Sequence, residues 1–226
     1  MIKLIIFDWD DVFTQGSITG YYKCYHEALR GVGISLSPEE EDRRIKAKWG
    51  AGHKTQLEEL LKESPELVPK AVSIYRENLF GDTFVDCLTI IPGSQKFLRD
   101  LAKRYKLAIA TGAHPKILRD RLIPKFNIPA VFIEIVTIYD LDDPAHGKPH
   151  PFIVNKIMKT AGVTPAETVL VGDAASDIQM ARNAGVEPIA VLTGHLNRKQ
   201  AEDLGIKHII ENVTLLEPEL EKIKVS

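Results

Sequence analysis

Residues 3–13 read Lys3-Leu4-Ile5-Ile6-Phe7-Asp8-Trp9-Asp10-Asp11-Val12-Phe13, a short apolar run that ends in three acidic residues within four positions. An apolar run of this length, bounded by polar residues, predicts a fully buried strand of a parallel sheet. Open parallel sheets hold their ligand crevice at the carboxyl ends of the strands. Asp8 and Asp10 can therefore reach one small volume, where one carboxylate attacks or binds a metal and the other moves a proton. A solvated acidic turn is the alternative interpretation, and only partners at the ends of other strands decide between the two.

The composition predicts a globular protein that acts on small molecules. The chain has 226 residues, of which 44% are hydrophobic, and a formal net charge of −2. The absence of a basic stripe disfavours a nucleic-acid partner, and no apolar run approaches the roughly 20 residues of a membrane span. Cys24 and Cys87 form no Cys-x-x-Cys motif and are too few for a disulfide scaffold, which favours a cytoplasmic location. A monomer and a small homo-oligomer are both compatible with this sequence.

Six apolar, β-branched runs recur along the chain, and helical patterns lie between most of them. This alternation predicts a parallel sheet with helices on both faces, whose strand carboxyl ends share one edge. We therefore expect an α/β core of the Rossmann-like, doubly wound type. The predicted strands are 2–7, 106–110, 131–138, 168–171, 188–192 and 208–210, and the predicted helices include 94–103, 115–122, 150–161 and 176–184.

The segment 15–87 departs from this alternation because it contains helical patterns and no convincing strand. Tyr21, Tyr25 and Leu29 fall on one helical face, and Ser37-Pro38-Glu39-Glu40 is a capping box with proline in the first turn. We interpret 15–87 as an inserted all-helical domain. Residues 1–14 and 88–226 then form the α/β core.

Three further polar clusters occur along the chain. Thr111-Gly112 follows the second predicted core strand and opens a helix, where a hydroxyl and free N–H groups can bind an anion. Lys148 is held between a glycine and two prolines, and its compact charge suits phosphate. Asp173 ends the strand at 168–171 after a glycine, and Asp177 follows at the start of a helix. Taken singly, these residues would be a tight turn, a surface lysine and a helix cap.

The order of the four clusters resembles the four motifs of the haloacid dehalogenase superfamily, in its phosphatase branch. The matching residues are Asp8-x-Asp10, Thr111, Lys148 and Gly172-Asp173-x-x-x-Asp177. The segments 177–186 and 148–151 are similar to the phosphoglycolate phosphatase and β-phosphoglucomutase-like subgroup. The resemblance spans residues 2–196 and is weakest in the insert.

The resemblance implies a phosphatase that hydrolyses small phosphorylated metabolites through an aspartyl-phosphate intermediate. Asp8 would be the nucleophile, and Asp10 would protonate the leaving alcohol and then deprotonate water, which requires a raised pKa at Asp10. Thr111, the Gly112 amide and Lys148 would neutralise the phosphoryl oxygens. The implied cofactor is Mg²⁺. Its implied ligands are Asp8, the backbone carbonyl of Asp10, Asp173, and Asp177 through water or as an orienting group.

Two positions depart from the family pattern. Asp11 stands where the family usually has glycine, which adds negative charge after the nucleophile. Gly112 stands where asparagine is frequent, so an expected side-chain contact to the phosphoryl group is missing.

The resemblance implies that the insert is a cap that excludes water and reads the leaving group. In the segment Gly50-Ala51-Gly52-His53-Lys54, two glycines permit close approach while His53 and Lys54 offer charge, so it is a candidate substrate loop. An ordinary turn between helices is the alternative.

Four other functions remain open at this stage. A dehalogenase would also use Asp8, and a phosphonoacetaldehyde hydrolase would add a cap lysine such as Lys54 as a Schiff base, but Asp10 argues against both. A phosphomutase differs only in the acceptor of the phosphoryl group. A phosphate- or metal-binding scaffold without turnover is the non-enzymatic alternative.

Overall fold

The computed structural model of the chain describes residues 1–48 and 52–223, except for the side chain at position 144. Six of its strands form one parallel sheet in the order β5-β4-β1-β6-β7-β8. The first strand therefore lies in the middle, between two strands that come much later in the chain. The strands are β1 (Leu4–Phe7), β2 (Thr14–Gln15), β3 (Thr89–Ile90), β4 (Lys106–Thr111), β5 (Phe132–Thr137), β6 (Thr168–Gly172), β7 (Glu187–Val191) and β8 (His208–Ile210).

The predicted α/β fold is confirmed, and all six predicted runs form strands of the sheet. Every residue of β1 and of β6 is buried, as expected for central strands that are covered on both faces. The helices are α1 (Ser17–Gly31), α2 (Pro38–Ala47), α3 (His53–Leu60), α4 (Val68–Phe80), α5 (Asp82–Val85), α6 (Ser94–Leu101), α7 (Pro115–Ile117), α8 (Ile123–Lys125), α9 (Phe152–Ala161), α10 (Ala175–Asn183), α11 (Arg198–Asp203) and α12 (Leu216–Leu220).

Two local features differ from the predicted pattern. The helix expected over 115–122 begins as α7 but continues from Leu118 to Leu122 as a π-helical turn. The strands β2 and β3, which were not predicted, pair in antiparallel fashion with Gln15 opposite Thr89. This pair joins the two points at which the chain leaves the α/β part and returns to it.

The chain divides into two compact units, one of Met1–Gln15 with Thr89–Ser226 and the other of Gly16–Leu88. The second unit begins and ends one residue later than the predicted insert, and its described residues contain helices and no strand. Within it, α1 packs against α4 and α5, with the rings of Tyr25 and Tyr75 stacked at 4.6 Å. Ser37 caps α2 by accepting a hydrogen bond from the N–H of Glu40 at 3.2 Å, which confirms the predicted start of that helix.

None of the described helices combines the length and the apolar character needed to cross a membrane.

Candidate active site

Asp8 lies at the carboxyl end of β1, and its backbone is held by the neighbouring strand β6. Its N–H donates to the carbonyl of Val171 in β6 at 2.9 Å, which continues the β1–β6 pairing by one residue. The chain then turns, because the N–H groups of Val12 and Phe13 both donate to the carbonyl of Trp9, at 3.3 and 3.1 Å. Trp9 is fully buried and its ring packs on Phe13. The turn that carries the acidic residues is therefore anchored in the core.

Asp11 occupies the left-handed region of backbone conformation, with a φ of 53°. This finding explains why glycine is usual at this position in the family that the sequence resembles, since glycine adopts positive φ without steric cost. Aspartate is among the non-glycine residues that tolerate this region best, at a cost of roughly 1–2 kcal/mol. The side chain of Asp11 is buried.

Lys148 lies between two carboxylates. Its Nζ is 2.8 Å from Oδ1 of Asp8 and 2.6 Å from Oδ1 of Asp177, and 11% of its side chain is exposed. Burial by itself would lower the pKa of this ammonium, but the charges of Asp177 and Asp8 outweigh it and hold the pKa of Lys148 above its usual value. Lys148 is therefore a buried, protonated cation that joins the end of β1 to the start of α10.

Asp177 has both a structural and an electrostatic role. It lies in the first turn of α10 and its Oδ2 accepts the N–H of Ala174 at 3.2 Å, while its Oδ1 faces Lys148. Burial raises the pKa of Asp177 to about 6, although Lys148 acts in the opposite direction. A Cβ on Gly172 would overlap the Asp177 side chain, so glycine at the end of β6 makes room for this carboxylate.

Asp173 is buried at the carboxyl end of β6. Burial, followed by the charges of Asp177 and Asp8, raises the pKa of Asp173 well above its usual value. The backbone N–H of His195 donates to its Oδ2 at 3.0 Å and acts in the opposite direction. The charges of Asp8 and Asp177 act on Asp173 because all three carboxyl groups face the same small volume.

The three carboxylates form one cluster that suits a divalent cation. One oxygen from each of Asp8, Asp173 and Asp177 lies within 4.8 Å of the others. Three acidic side chains and one ammonium leave the cluster short of positive charge, and hard carboxylate oxygens are the ligands that Mg²⁺ prefers. Among the described residues, the carboxylate of Asp10 is not part of this cluster; the sequence assigned only its backbone carbonyl to the metal.

Thr111 ends β4, which pairs with β1 so that Phe7 lies opposite Ile109. Thr111 thus reaches the same edge of the sheet as Asp8, and its buried hydroxyl accepts the N–H of Ala113 at 3.1 Å. A Cβ built on Gly112 meets no described atom within 4 Å. The space beside Gly112 is open, so packing does not require glycine there.

The loop after β7 belongs to the site and was missed in the sequence analysis. The hydroxyl of Thr193 donates to the carbonyl of Asp11, and the N–H of His195 binds Asp173. A Cβ on Gly194 would overlap both Asp173 and Asp11. The available signal was a Thr-Gly pair directly after the predicted strand 188–192, which parallels Thr111-Gly112.

The remaining candidates from the sequence belong to the helical unit, Gly16–Leu88. His53 is in the helical unit, where its ring stacks on Tyr75 at 5.3 Å and its Nε2 accepts from Arg76. Lys54 is exposed, 3.7 Å from Glu58. Gly50 and Ala51, at the start of the proposed substrate loop, fall outside the described residues. The involvement of this loop in substrate binding stays a prediction.

The comparisons with known proteins identify the family of the chain. The chain matches the family model of the haloacid dehalogenase-like hydrolases over residues 2–185. Because this match covers most of the chain, the protein belongs to the haloacid dehalogenase-like hydrolase family, and the predicted family and hydrolase class are confirmed.

Individual relatives cover nearly the whole chain. A phosphoglycolate phosphatase from Vibrio vulnificus is 26% identical, with 86% of this chain and 85% of that protein covered. A phosphorylated carbohydrates phosphatase from Thermotoga maritima is 25% identical, covering 88% and 89%. A solved haloacid dehalogenase-like family hydrolase from Streptococcus pneumoniae superposes with a TM-score of 0.75 at 18% identity, covering 97% and 98%. This last likeness supports the fold.

Proposed function

We propose that this protein is a Mg²⁺-dependent phosphatase that hydrolyses small phosphorylated metabolites through an aspartyl-phosphate intermediate. The observation that carries the proposal is the convergence of Asp8, Asp173 and Asp177 on one volume with Lys148 between two of them. Carboxylate, ammonium and cation are the groups needed to attack phosphorus and to neutralise its oxygens. The relatives named as phosphatases of phosphoglycolate and of carbohydrates support this substrate class.

Asp8 is the proposed nucleophile. It directly follows the buried strand β1, and its backbone N–H is held by Val171 of β6. Its partner Lys148 offers positive charge both to this carboxylate and to a phosphoryl group that bonds to it. Rigid placement of the attacking oxygen supplies part of the rate enhancement, because it replaces orientation in solution.

Asp10 is the proposed acid and base. It follows Asp8 by two residues on the anchored turn and is partly exposed, so a leaving group or a water molecule can reach it. Asp10 would give its proton to the leaving oxygen, and afterwards take one from the water that attacks the intermediate. The raised pKa that this role requires stays a prediction.

The cluster of Asp8, Asp173 and Asp177, with the Asp10 carbonyl, would hold Mg²⁺. When bound, the cation would offset the repulsion between nucleophile and phosphate and polarise the phosphoryl oxygens. Thr111 and the amide of Gly112 would bind the remaining oxygens from the adjacent strand end, where the space beside Gly112 is open. The helical unit would read the leaving group, with His53 and Lys54 as contacts.

The decisive experiment measures release of p-nitrophenol from p-nitrophenyl phosphate, with Mg²⁺ and with a chelator. We expect metal-dependent release that Asp8→Asn abolishes, and Asp10→Asn lowers by roughly 10²–10⁴-fold. Asp142→Asn, an exposed carboxylate in the same unit, is the matched control and should keep full activity. Rapid quenching with substrate should add one phosphoryl group to the peptide that contains Asp8.

Full activity in Asp8→Asn, or equal release with and without Mg²⁺, would overturn the proposal. Turnover only in the presence of an added bisphosphate would point to a phosphomutase instead. A screen of phosphorylated metabolites would then define the physiological substrate.

A further inference from the structure

The loop Thr193–His195 contacts the acidic turn at one end and the carboxylate cluster at the other. At one end the Thr193 hydroxyl donates to the backbone carbonyl of Asp11. At the other end the N–H of His195 donates to the Asp173 carboxylate at 3.0 Å, and the next N–H, from Leu196, donates to the Asp173 carbonyl at 2.8 Å. The loop therefore connects the turn after β1 to the end of β6, which are the two segments that supply the cluster.

The contact between these segments is also tight. The space where a Cβ of Gly194 would lie is taken by the Asp173 carboxylate and by the Cβ of Asp11. Any shift of the loop would therefore move Asp173 or the acidic turn. Asp173 is buried and its Oδ2 accepts the His195 N–H, and this bond fixes the orientation of a carboxylate that has one oxygen within 4.8 Å of oxygens from Asp8 and Asp177.

Asp11 contributes charge in addition to its contact with Thr193. It is buried beside the cluster, and its carboxylate adds to the negative potential at Asp173, after the larger effects of burial, Asp177 and Asp8. Glycine would satisfy the backbone at this position better than aspartate does, since φ is 53°. The backbone conformation thus does not account for aspartate here, whereas the added charge beside a cation site does.

We propose that Thr193 and Asp11 are positioning residues that set how tightly the carboxylate cluster binds a divalent cation. Thr193 acts by locking the loop against the acidic turn, so that the His195 amide holds Asp173 in place. Asp11 acts by its charge. The inference rests on the proposed function only in taking the cluster as a cation site.

The test measures Mg²⁺ and Mn²⁺ binding to the purified full chain by titration calorimetry, without substrate. Partners that orient metal ligands typically contribute 10–100-fold in affinity. We expect Thr193→Val to weaken Mg²⁺ binding about tenfold, and Thr193→Ser, which keeps the hydroxyl, to restore it. Thr164→Val, which removes an exposed hydroxyl elsewhere in the same unit, is the matched control and should bind like the unmodified protein.

Two variants of Asp11 separate the effect of its charge on Mg²⁺ affinity from the effect of its backbone conformation on stability. Asp11→Gly relieves the left-handed residue, so its melting temperature should not fall, yet its Mg²⁺ affinity should fall several-fold. Asp11→Asn keeps the shape, tolerates the same φ and removes the charge, so it should weaken binding to a similar extent.

Wild-type affinity in Thr193→Val or in Asp11→Asn would overturn the role of that residue, and absence of cation binding by the unmodified protein would overturn both. A chain that binds Mg²⁺ but hydrolyses no phosphate ester would refute the proposed phosphatase and leave this inference to be decided by the variants. A melting temperature for each variant distinguishes loss of the fold from loss of the site.

Discussion

In this site, the space that the carboxylates need explains the positions of glycine better than the need for positive φ does. At Gly172 and Gly194, a Cβ would occupy the space of Asp177 or Asp173. At position 11, where φ is positive and glycine would be favoured, the chain has an aspartate. The residues of the turn therefore increase the negative charge of the cluster at a cost in backbone energy. Such a cost is expected at functional sites, where local strain persists because the surrounding structure holds it.

Loss of Lys148 should destabilise the cation-free protein. Replacing Lys148 by Met removes the ammonium between Asp8 and Asp177 and leaves two buried carboxylates without their partner. Breaking a buried ion pair in this way costs about 3–5 kcal/mol. We expect the free energy of unfolding, measured by urea denaturation with a chelator present, to fall by roughly 3 kcal/mol.

Added Mg²⁺ should reverse part of that loss, because a cation that binds only the folded state stabilises it. The gain should be larger in Lys148→Met than in the unmodified protein, since the variant lacks the competing ammonium. Lys156→Met, on the exposed side of α9, controls for the substitution itself. An unchanged urea midpoint in Lys148→Met would mean that the ammonium of Lys148 does not stabilise the fold through Asp8 and Asp177.

At the scale of elements, the strands and their carboxyl-end residues could be predicted because each leaves a local signal. Asp8, Thr111 and Asp173 each follow an apolar run at its end, and parallel strands bring such ends to one edge. The order of the strands leaves no local signal. β7 lies beside β6, and only that neighbourhood brings Thr193 and Gly194 against Asp173 and Asp11. The short β2–β3 pair was missed for a similar reason, since it joins Gln15 to Thr89, which are far apart in the chain. The π-helical turn after α7 was also missed.

The packing of α1 against α5 depends on a glycine within a helix. Replacing a mid-helix glycine by alanine normally stabilises a helix by about 1 kcal/mol. At Gly20 a Cβ would lie 2.7 Å from the ring of Phe84, which is almost completely buried. We therefore expect Gly20→Ala to lower the free energy of unfolding by about 1–3 kcal/mol, as overpacking does.

A double-mutant cycle attributes this loss to the contact. Phe84→Ala removes the ring atoms that a Cβ on Gly20 would meet, so Gly20→Ala should cost less in the Phe84→Ala background than alone. Equal costs in the two backgrounds would place the strain of Gly20→Ala somewhere other than Phe84.

The start of α2 should respond to acid. Hydrogen bonds from Arg43 and Arg44 lower the pKa of Glu40 from its ordinary value of 4.5 to about 2. A carboxyl with a lowered folded-state pKa stabilises the protein fully above its unfolded pKa and loses that contribution as the pH falls through the folded value. The melting temperature of the unmodified protein should therefore exceed that of Glu40→Gln at pH 6, and the difference should shrink as the pH falls from about 4.5 toward 2. A difference that stays constant over this range would show that the charge of Glu40 adds nothing.

For the whole molecule, all the residues of the carboxylate cluster come from one of the two units. The unit of Met1–Gln15 with Thr89–Ser226 contains Asp8, Asp173 and Asp177, together with their partner Lys148. The other unit, Gly16–Leu88, begins directly after β2 and ends directly before β3, and Gln15 of β2 pairs with Thr89 of β3. The proposed chemistry thus belongs to one unit and the proposed recognition of the leaving group to the other. Deleting the helical unit tests this division.

In that deletion, residues 16–88 are replaced by Asn-Gly. A two-residue Asn-Gly turn is the preferred connection of an antiparallel pair, so it should join Gln15 to Thr89 without disturbing their register. The shortened protein keeps the six-stranded sheet and the whole carboxylate cluster, and we expect one cooperative melting transition and Mg²⁺ binding close to that of the full chain. It should still hydrolyse p-nitrophenyl phosphate, more slowly because less water is excluded, but its rates on different phosphorylated metabolites should converge. Asp8→Asn in the shortened protein is the control for hydrolysis at the same site. If the shortened protein folds and binds Mg²⁺ yet keeps the substrate preference of the full chain, the leaving group is read by the α/β unit rather than by the helices.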